Sequence, residues 1–97
     1  LIRGTFSLRG NVGKAGTYLQ QVSFKDAQGM QAGAYVRVRG VDVGVVDAVG
    51  LGPDGYALIT LRMRPVYRIQ PTDRIRIAGA LLGFNQPYVE ITPNGRE

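Results

Sequence analysis

The side chains that could do acid–base or nucleophilic chemistry are few and scattered. The sequence holds seven acidic residues and two serines, but neither histidine nor cysteine. Their absence removes the commonest general base, the commonest metal ligand and the thiolate nucleophile. The closest acidic pair, Asp42 and Asp47, has an odd spacing that places its carboxylates on opposite faces of a strand. Ser7 and Ser23 lack an activating histidine. We therefore expect no enzyme, no metal site and no cofactor.

A glycine pattern in the middle of the chain could be taken for a nucleotide site. Residues 50–55 match G-x-G-x-x-G. That pattern binds a dinucleotide only when a helix follows, because the helix N-terminus meets the pyrophosphate. Here Tyr56 to Met63 has the composition of a strand, and Pro53 and Asp54 suit the central positions of a tight turn. We interpret the stretch as a hairpin turn.

The connection between the last two predicted strands is apolar where a loop is usually polar. Surface loops avoid burial because a buried loop leaves backbone polar groups unpaired. Apolar side chains on such a loop need a partner, which is the domain's own core, another subunit or a hydrophobic ligand. The residues concerned are Leu81, Leu82 and Phe84, with Gly79 and Gly83 as candidate hinges.

Short alternating segments organise the rest of the chain. No window of ten or more residues has the 3.6-residue period of an amphipathic helix. For a chain this short we favour a small barrel, because closing the sheet removes exposed strand edges. The pattern predicts an all-β fold with a tight reversal over residues 40–44, an irregular connection over 64–72, and strands over residues 17–24, 34–39, 43–51, 56–63, 73–77 and 88–92.

The chain length fits one domain, since 97 residues leave little room for two. We expect residues 17–93 to form the β domain and residues 94–97 to be a C-terminal tail. Residues 1–16 are predicted to be either an extra strand or a linker from an upstream segment. No window approaches the ~18 continuous apolar residues of a membrane span, and no signal peptide is present.

The net charge of +5 leaves several partners open. A solvated basic surface, anionic lipid head groups and nucleic acid all fit such a charge. A nucleic-acid surface would combine arginines with exposed aromatic rings. Tyr35 beside Arg37 and Arg39 is one local hint of it, and Tyr67 beside Arg68 is a weaker one. A basic β-barrel that binds nucleic acid is therefore the alternative function.

Two glycine-rich segments carry a family resemblance. Residues 24–46 read F-x4-G-M-x2-G-x2-V-x3-G-V-x-V-G-x-V, and residues 81–93 contain L-L-G followed by Y-V-E-I-T-P. In this order they resemble the two halves of an MCE (mammalian cell entry) domain, the domain of MlaD-type proteins. The resemblance covers Tyr18 to about Pro93. Met30 replaces the usual leucine, and residues 84–87 make the link between L-L-G and tyrosine slightly longer than usual.

The resemblance implies a fold and an assembly. Its fold is a seven-stranded β-barrel that follows one N-terminal transmembrane helix, so residues 1–16 would be juxtamembrane. Six such domains form a ring whose leucine loops converge on the axis as a hydrophobic pore. Leu81 and Leu82 would line this pore with Phe84 beside them. Gly79 and Gly83 would be the loop hinges.

The resemblance also implies a function and a location. The ring works with the permease and ATPase subunits of an ABC transporter, or as part of a tube. It passes phospholipids or other hydrophobic molecules across the cell envelope, on the periplasmic side of the inner membrane or in an equivalent intermembrane space. Leucines suit this task because they shield lipid tails, which cost about 0.8 kcal/mol per exposed CH₂, without directional bonds. One or both leucines could instead fill the end of their own barrel.

Overall fold

The computed structural model describes residues 16–79 and 86–95, which form a single curled, half-barrel sheet. The all-β fold class predicted from the sequence is confirmed. A short 3-10 turn over Pro93–Gly95 follows the last strand. The six strands in these residues are β1 (Tyr18–Phe24), β2 (Tyr35–Val38), β3 (Val41–Leu51), β4 (Ala57–Met63), β5 (Arg74–Ala78) and β6 (Tyr88–Thr92).

The strands lie in the order β1-β4-β3-β2-β6-β5. All neighbours are antiparallel except β2 and β6, which run parallel with Val36 opposite Val89. Among the described strands, the β5–β6 hairpin is therefore paired with the other four only through β2. This parallel pairing fixes where the connection between β5 and β6 lies.

The two ends of the sheet differ in what they carry. At the loop end, β5 stops at Ala78 and β6 starts at Tyr88, and the 79–87 connection joins them. The opposite end, which we call the basic end, is where β1 and β5 start and β4 and β6 stop. It is defined by four exposed arginines: Arg39, Arg64, Arg68 and Arg74.

The core forms on the inner face of the curled sheet, as strand alternation requires. In β4 every second residue is buried, and β1 shows the same period from Tyr18 to Val22. The predicted inward side chains of β2, β5 and β6 include the fully buried Val36, Ile75, Val89 and Ile91. The other large apolar side chains that are fully buried are Ile59, Leu61, Met63, Val22 and Val46.

The described residues form six strands, where the resemblance implied seven. The longest of the six is β3, which runs for 11 residues. A bulge at Asp47 lets β3 keep pairing with β4, from Gly44 opposite Met63 to Leu51 opposite Ala57. The two halves of β3 are thus one bulged strand. Among the described residues, the second half pairs only with β4.

The reversal predicted over residues 40–44 is shorter than expected. Arg39 and Gly40 both have positive φ, 51° and 82°, the combination that a two-residue hairpin turn needs. Gly44 is instead a strand residue of β3. A Cβ atom there would lie 2.5 Å from the carbonyl oxygen of Arg62, so glycine is required by the close approach of β4.

A buried carboxylate holds the irregular 64–72 connection against the sheet. The Oδ2 atom of Asp73 accepts hydrogen bonds from the Tyr67 hydroxyl at 2.5 Å and the Gln70 N–H at 2.9 Å. Its Oδ1 atom accepts one from the Asn94 N–H at 3.1 Å. The Tyr18 hydroxyl donates to the Tyr67 carbonyl at 2.7 Å. Asp73 thus ties the connection to the C-terminal turn.

We expect Asp73→Asn to destabilise the domain by about 2 kcal/mol, because a buried carboxylate that accepts three bonds loses an acceptor and gains a mismatched donor. Urea unfolding measures the change. Asp26→Asn is the control, since the exposed Asp26 accepts one local bond from the Gln28 N–H that asparagine can also accept. Equal midpoints for both variants and the parent would contradict the role of Asp73.

Alkaline pH should also weaken the fold through the two tyrosines. Burial raises the pKa of Tyr67, and its hydrogen bond to Asp73 raises it further. Burial raises the pKa of Tyr18 as well. The folded state holds both phenol protons more tightly than the unfolded chain does. The stability that these two tyrosines contribute is therefore constant below pH ~10 and falls above it. Urea unfolding from neutral to alkaline pH should show a smaller fall in Tyr67→Phe than in the parent, and parallel curves would contradict this.

Candidate functional site

The residues predicted to line a pore lie in the connection between β5 and β6. Leu81, Leu82, Gly83 and Phe84 fall outside the described residues, so their predicted roles stay predictions. The two stems of the connection are described. Gly79 follows β5 and Gln86 precedes β6, and both stand at the loop end. The stems therefore show where the connection leaves the sheet and where it returns.

Gly79 has a conformation that other residues adopt at a cost. Its φ is +85°, in the left-handed region. A Cβ atom there would lie 3.3 Å from the carbonyl oxygen of Gln86 and 3.5 Å from the ring of Tyr88. The first turn of the connection is thus tightly packed against the returning stem, and the role of Gly79 as a hinge stays a prediction.

A groove of about 690 Å³ opens beside these stems. One wall is the 31–35 segment that leads into β2, and the other is formed by Gly79 and residues 86–88. Its side chains are mainly small or aromatic, with Arg37 the one charged residue among the described residues that line it. A surface of this composition can contact an apolar chain along its walls and a polar group at Arg37.

Arg37 is held in place by three neighbours. Its guanidinium carbon lies 4.9 Å from the ring centre of Tyr35 and 5.1 Å from that of Tyr88. Its Nε donates to Asp42 Oδ1 at 2.9 Å. Cation–π contact and a partly screened ion pair both favour this one orientation. Arg37 therefore presents a fixed, partly neutralised cation between two aromatic faces.

Both local hints of a nucleic-acid surface have partners within the fold. Tyr35 stacks on Arg37, whose charge is matched by Asp42. The Tyr67 hydroxyl donates to Asp73, and Arg68 lies 4.8 Å from the ring centre of Tyr18. The ring of Tyr35 is half exposed, but Arg37 lies over it, and bases stack on open aromatic faces. No finding favours the nucleic-acid alternative.

Residues 16–79 and 86–95 contain neither a candidate metal cluster nor a candidate membrane-spanning helix. No group of three or more acidic, histidine or cysteine residues there could hold a metal ion. No helix in the same residues has the length and apolar character that crossing a bilayer needs.

A comparison with protein-family models decides the family. The model described as MlaD protein matches residues 16–94. The chain belongs to the MlaD family. No curated protein matches the chain. The resemblance that the two glycine-rich segments carried is thereby confirmed, and the MlaD-family domain described here is one associated with lipid transport.

Sequence reasoning missed the groove and the second aromatic neighbour of Arg37. Tyr35 and Arg37 are close in sequence, but Tyr88 is distant and meets them only because β6 lies parallel to β2. A signal was present in the alternation of 88–92, which assigns Tyr88 to the outer face. It did not say which strand would be its neighbour.

We expect Gly79→Ala to destabilise the domain by about 1–2 kcal/mol, since alanine at positive φ is strained and its Cβ would press on the Gln86 carbonyl. Gly50→Ala is the matched control, because its Cβ would meet nothing within 4 Å. Urea unfolding measures both. If Gly79→Ala is as stable as Gly50→Ala, the packed stem does not constrain this residue.

Proposed function

We propose that this MlaD-family domain is a lipid-binding and conduit module of an envelope system that transports phospholipids or other hydrophobic molecules. Six copies form a ring, and the 79–87 connections meet at its axis as a hydrophobic pore. Leu81 and Leu82 line the pore, Phe84 lies beside it, and Gly79 and Gly83 are the hinges of each loop. The match to the family over residues 16–94 is the observation that carries this proposal.

The geometry of the stems supports the proposal. Gly79 and Gln86 anchor the connection at one end of a rigid sheet, where Ala78 pairs with Tyr88. A short apolar connection held at both stems can project its leucines away from the core that the strands already fill. Side chains that fill that core include Val89 and Ile75, which are 0% and 1% exposed. Leucines at the axis would give a lipid tail contact without directional bonds.

The transport energy comes from partners in this proposal. The domain works with the permease and ATPase subunits of an ABC transporter, and an N-terminal helix anchors the protein in the membrane. It stands at the periplasmic side of the inner membrane or in an equivalent intermembrane space. The domain itself contributes shielding and passage and has no catalytic residues, in line with a transport-associated family.

The double variant Leu81→Asn plus Leu82→Asn should reduce lipid transfer by about tenfold or more, because each leucine that loses its apolar contact forfeits about 1.5–3 kcal/mol. Transfer is measured between labelled vesicles in the assembled transporter. Leu51→Asn is the control, since Leu51 is also an exposed leucine, at 80%, but lies at the tip of the β3–β4 hairpin. Native mass spectrometry checks that the ring is intact. Unchanged transfer by an intact ring of the double variant would overturn the pore assignment.

A further inference from the structure

Four arginines converge at the basic end although they are distant in sequence. Arg39 follows β2, Arg64 follows β4, and Arg74 is the first residue of β5. Arg68 lies in the connection between β4 and β5. All four side chains are exposed, and none of them forms an ion pair with another described residue. Their common position follows from the strand directions, which place the ends of β2 and β4 and the start of β5 at the same end of the sheet, with β3 and β6 between them.

The other charged residues do not neutralise the positive charge of these four arginines. Three other arginines are neutralised by ion pairs on the outer face of the sheet. Arg37 pairs with Asp42, Arg62 with Asp47 and Arg76 with Glu90. Asp73 is the additional carboxylate at the basic end, and it is 5% exposed and accepts three hydrogen bonds. The loop end carries one cation, Lys25, and two carboxylates, Asp26 and Asp54, among the described residues outside the ion pairs. The described residues are therefore positive at one end only.

Exposed apolar side chains lie among these arginines. Val41, two residues after Arg39, is 62% exposed, and Val66, two residues after Arg64, is 73% exposed. These valines would add nothing to the free energy of binding a polyanion in water. At the interface of a bilayer, by contrast, cations meet the head groups while small apolar side chains enter the region below them. The mixture of residues favours a lipid surface over nucleic acid.

The aromatic residues at this end point the same way. Tyr18 is 4% exposed, and the Tyr67 hydroxyl donates to Asp73. Single-stranded nucleic acid is bound by stacking on exposed rings, and neither ring is free to stack. Charge without a stacking surface suits phosphate groups that are presented by a membrane.

We propose that the basic end is a docking surface for the anionic head groups of a lipid bilayer, with Arg39, Arg64 and Arg74 contacting phosphates. The proposal rests on the proposed membrane attachment of the domain. Strand β1 starts at this end, so a membrane anchor that precedes it would deliver the chain here. The loop end then faces away from that bilayer.

The backbone provides a variant that removes one charge without harming the fold. Arg39 has a φ of 51° and precedes Gly40 at 82°, a pair of positions where asparagine followed by glycine is preferred. Arg39→Asn therefore keeps or improves the turn. Arg64→Gln and Arg74→Gln complete a triple variant, since both side chains are exposed and neither forms an ion pair with another described residue.

The test measures sedimentation of the 97-residue chain with vesicles of phosphatidylglycerol and phosphatidylcholine in equal parts, and with phosphatidylcholine alone. The parent should bind the anionic vesicles at ~0.1 M salt and lose binding at ~1 M. Each arginine removed should lower binding about fivefold, so the triple variant should bind about a hundredfold more weakly. The 1–15 segment is identical in parent and variant, so the difference reports the basic end.

Matched controls separate this surface from total charge and from the pore. Lys25→Gln removes one cation at the loop end and should bind as the parent does, whereas Arg74→Gln alone should bind about fivefold more weakly. Failure of vesicle binding leaves the pore proposal standing, because that proposal is tested separately by lipid transfer through the assembled ring. Equal binding by the parent and the triple variant would overturn the docking surface. Tighter binding to duplex DNA than to the anionic vesicles, lost in the triple variant, would overturn it in favour of nucleic acid.

Discussion

The parallel pairing of β2 with β6 is the contact on which the rest of the structure depends. Among the described strands it is the one link between the β5–β6 hairpin and the four strands β1, β4, β3 and β2. Val36 and Val89, which face each other across it, are both fully buried. Because of this link the stems of the apolar connection, the groove and Arg37 share one end of the sheet, and the exposed arginines share the other.

Much of the fold could be predicted from the sequence, because strand alternation and turn chemistry are local properties. The strand over residues 88–92 and the turn at Gly52–Gly55 lie where their residues indicated. The strand predicted over residues 43–51 is present but starts two residues earlier, at Val41. Its bulge could not be predicted, since a bulge depends on which residues lie opposite on β4. The role of Asp73 was also missed, because its donors come from a segment with two prolines and from the C-terminal turn.

The candidate site divides in the same way. The residues Leu81, Leu82 and Phe84 indicated an apolar connection between glycines, and the family resemblance implied its role in a pore. The groove and the basic end were not visible, since each assembles residues from separate strands. Nothing in the sequence placed Arg39, Arg64 and Arg74 at the same end of the sheet, because their position there depends on the directions of three separate strands. A net charge gives the amount of positive charge but not its position.

The parallel ladder has a consequence for how the domain forms. Its two strands are separated by more than half of the chain, and contacts this distant in sequence close late because the intervening loop entropy must be overcome first. The β1, β3 and β4 strands can pair while β6 is still being synthesised. The β5–β6 hairpin, and with it both stems of the apolar connection, can join the other strands only after β6 has been made.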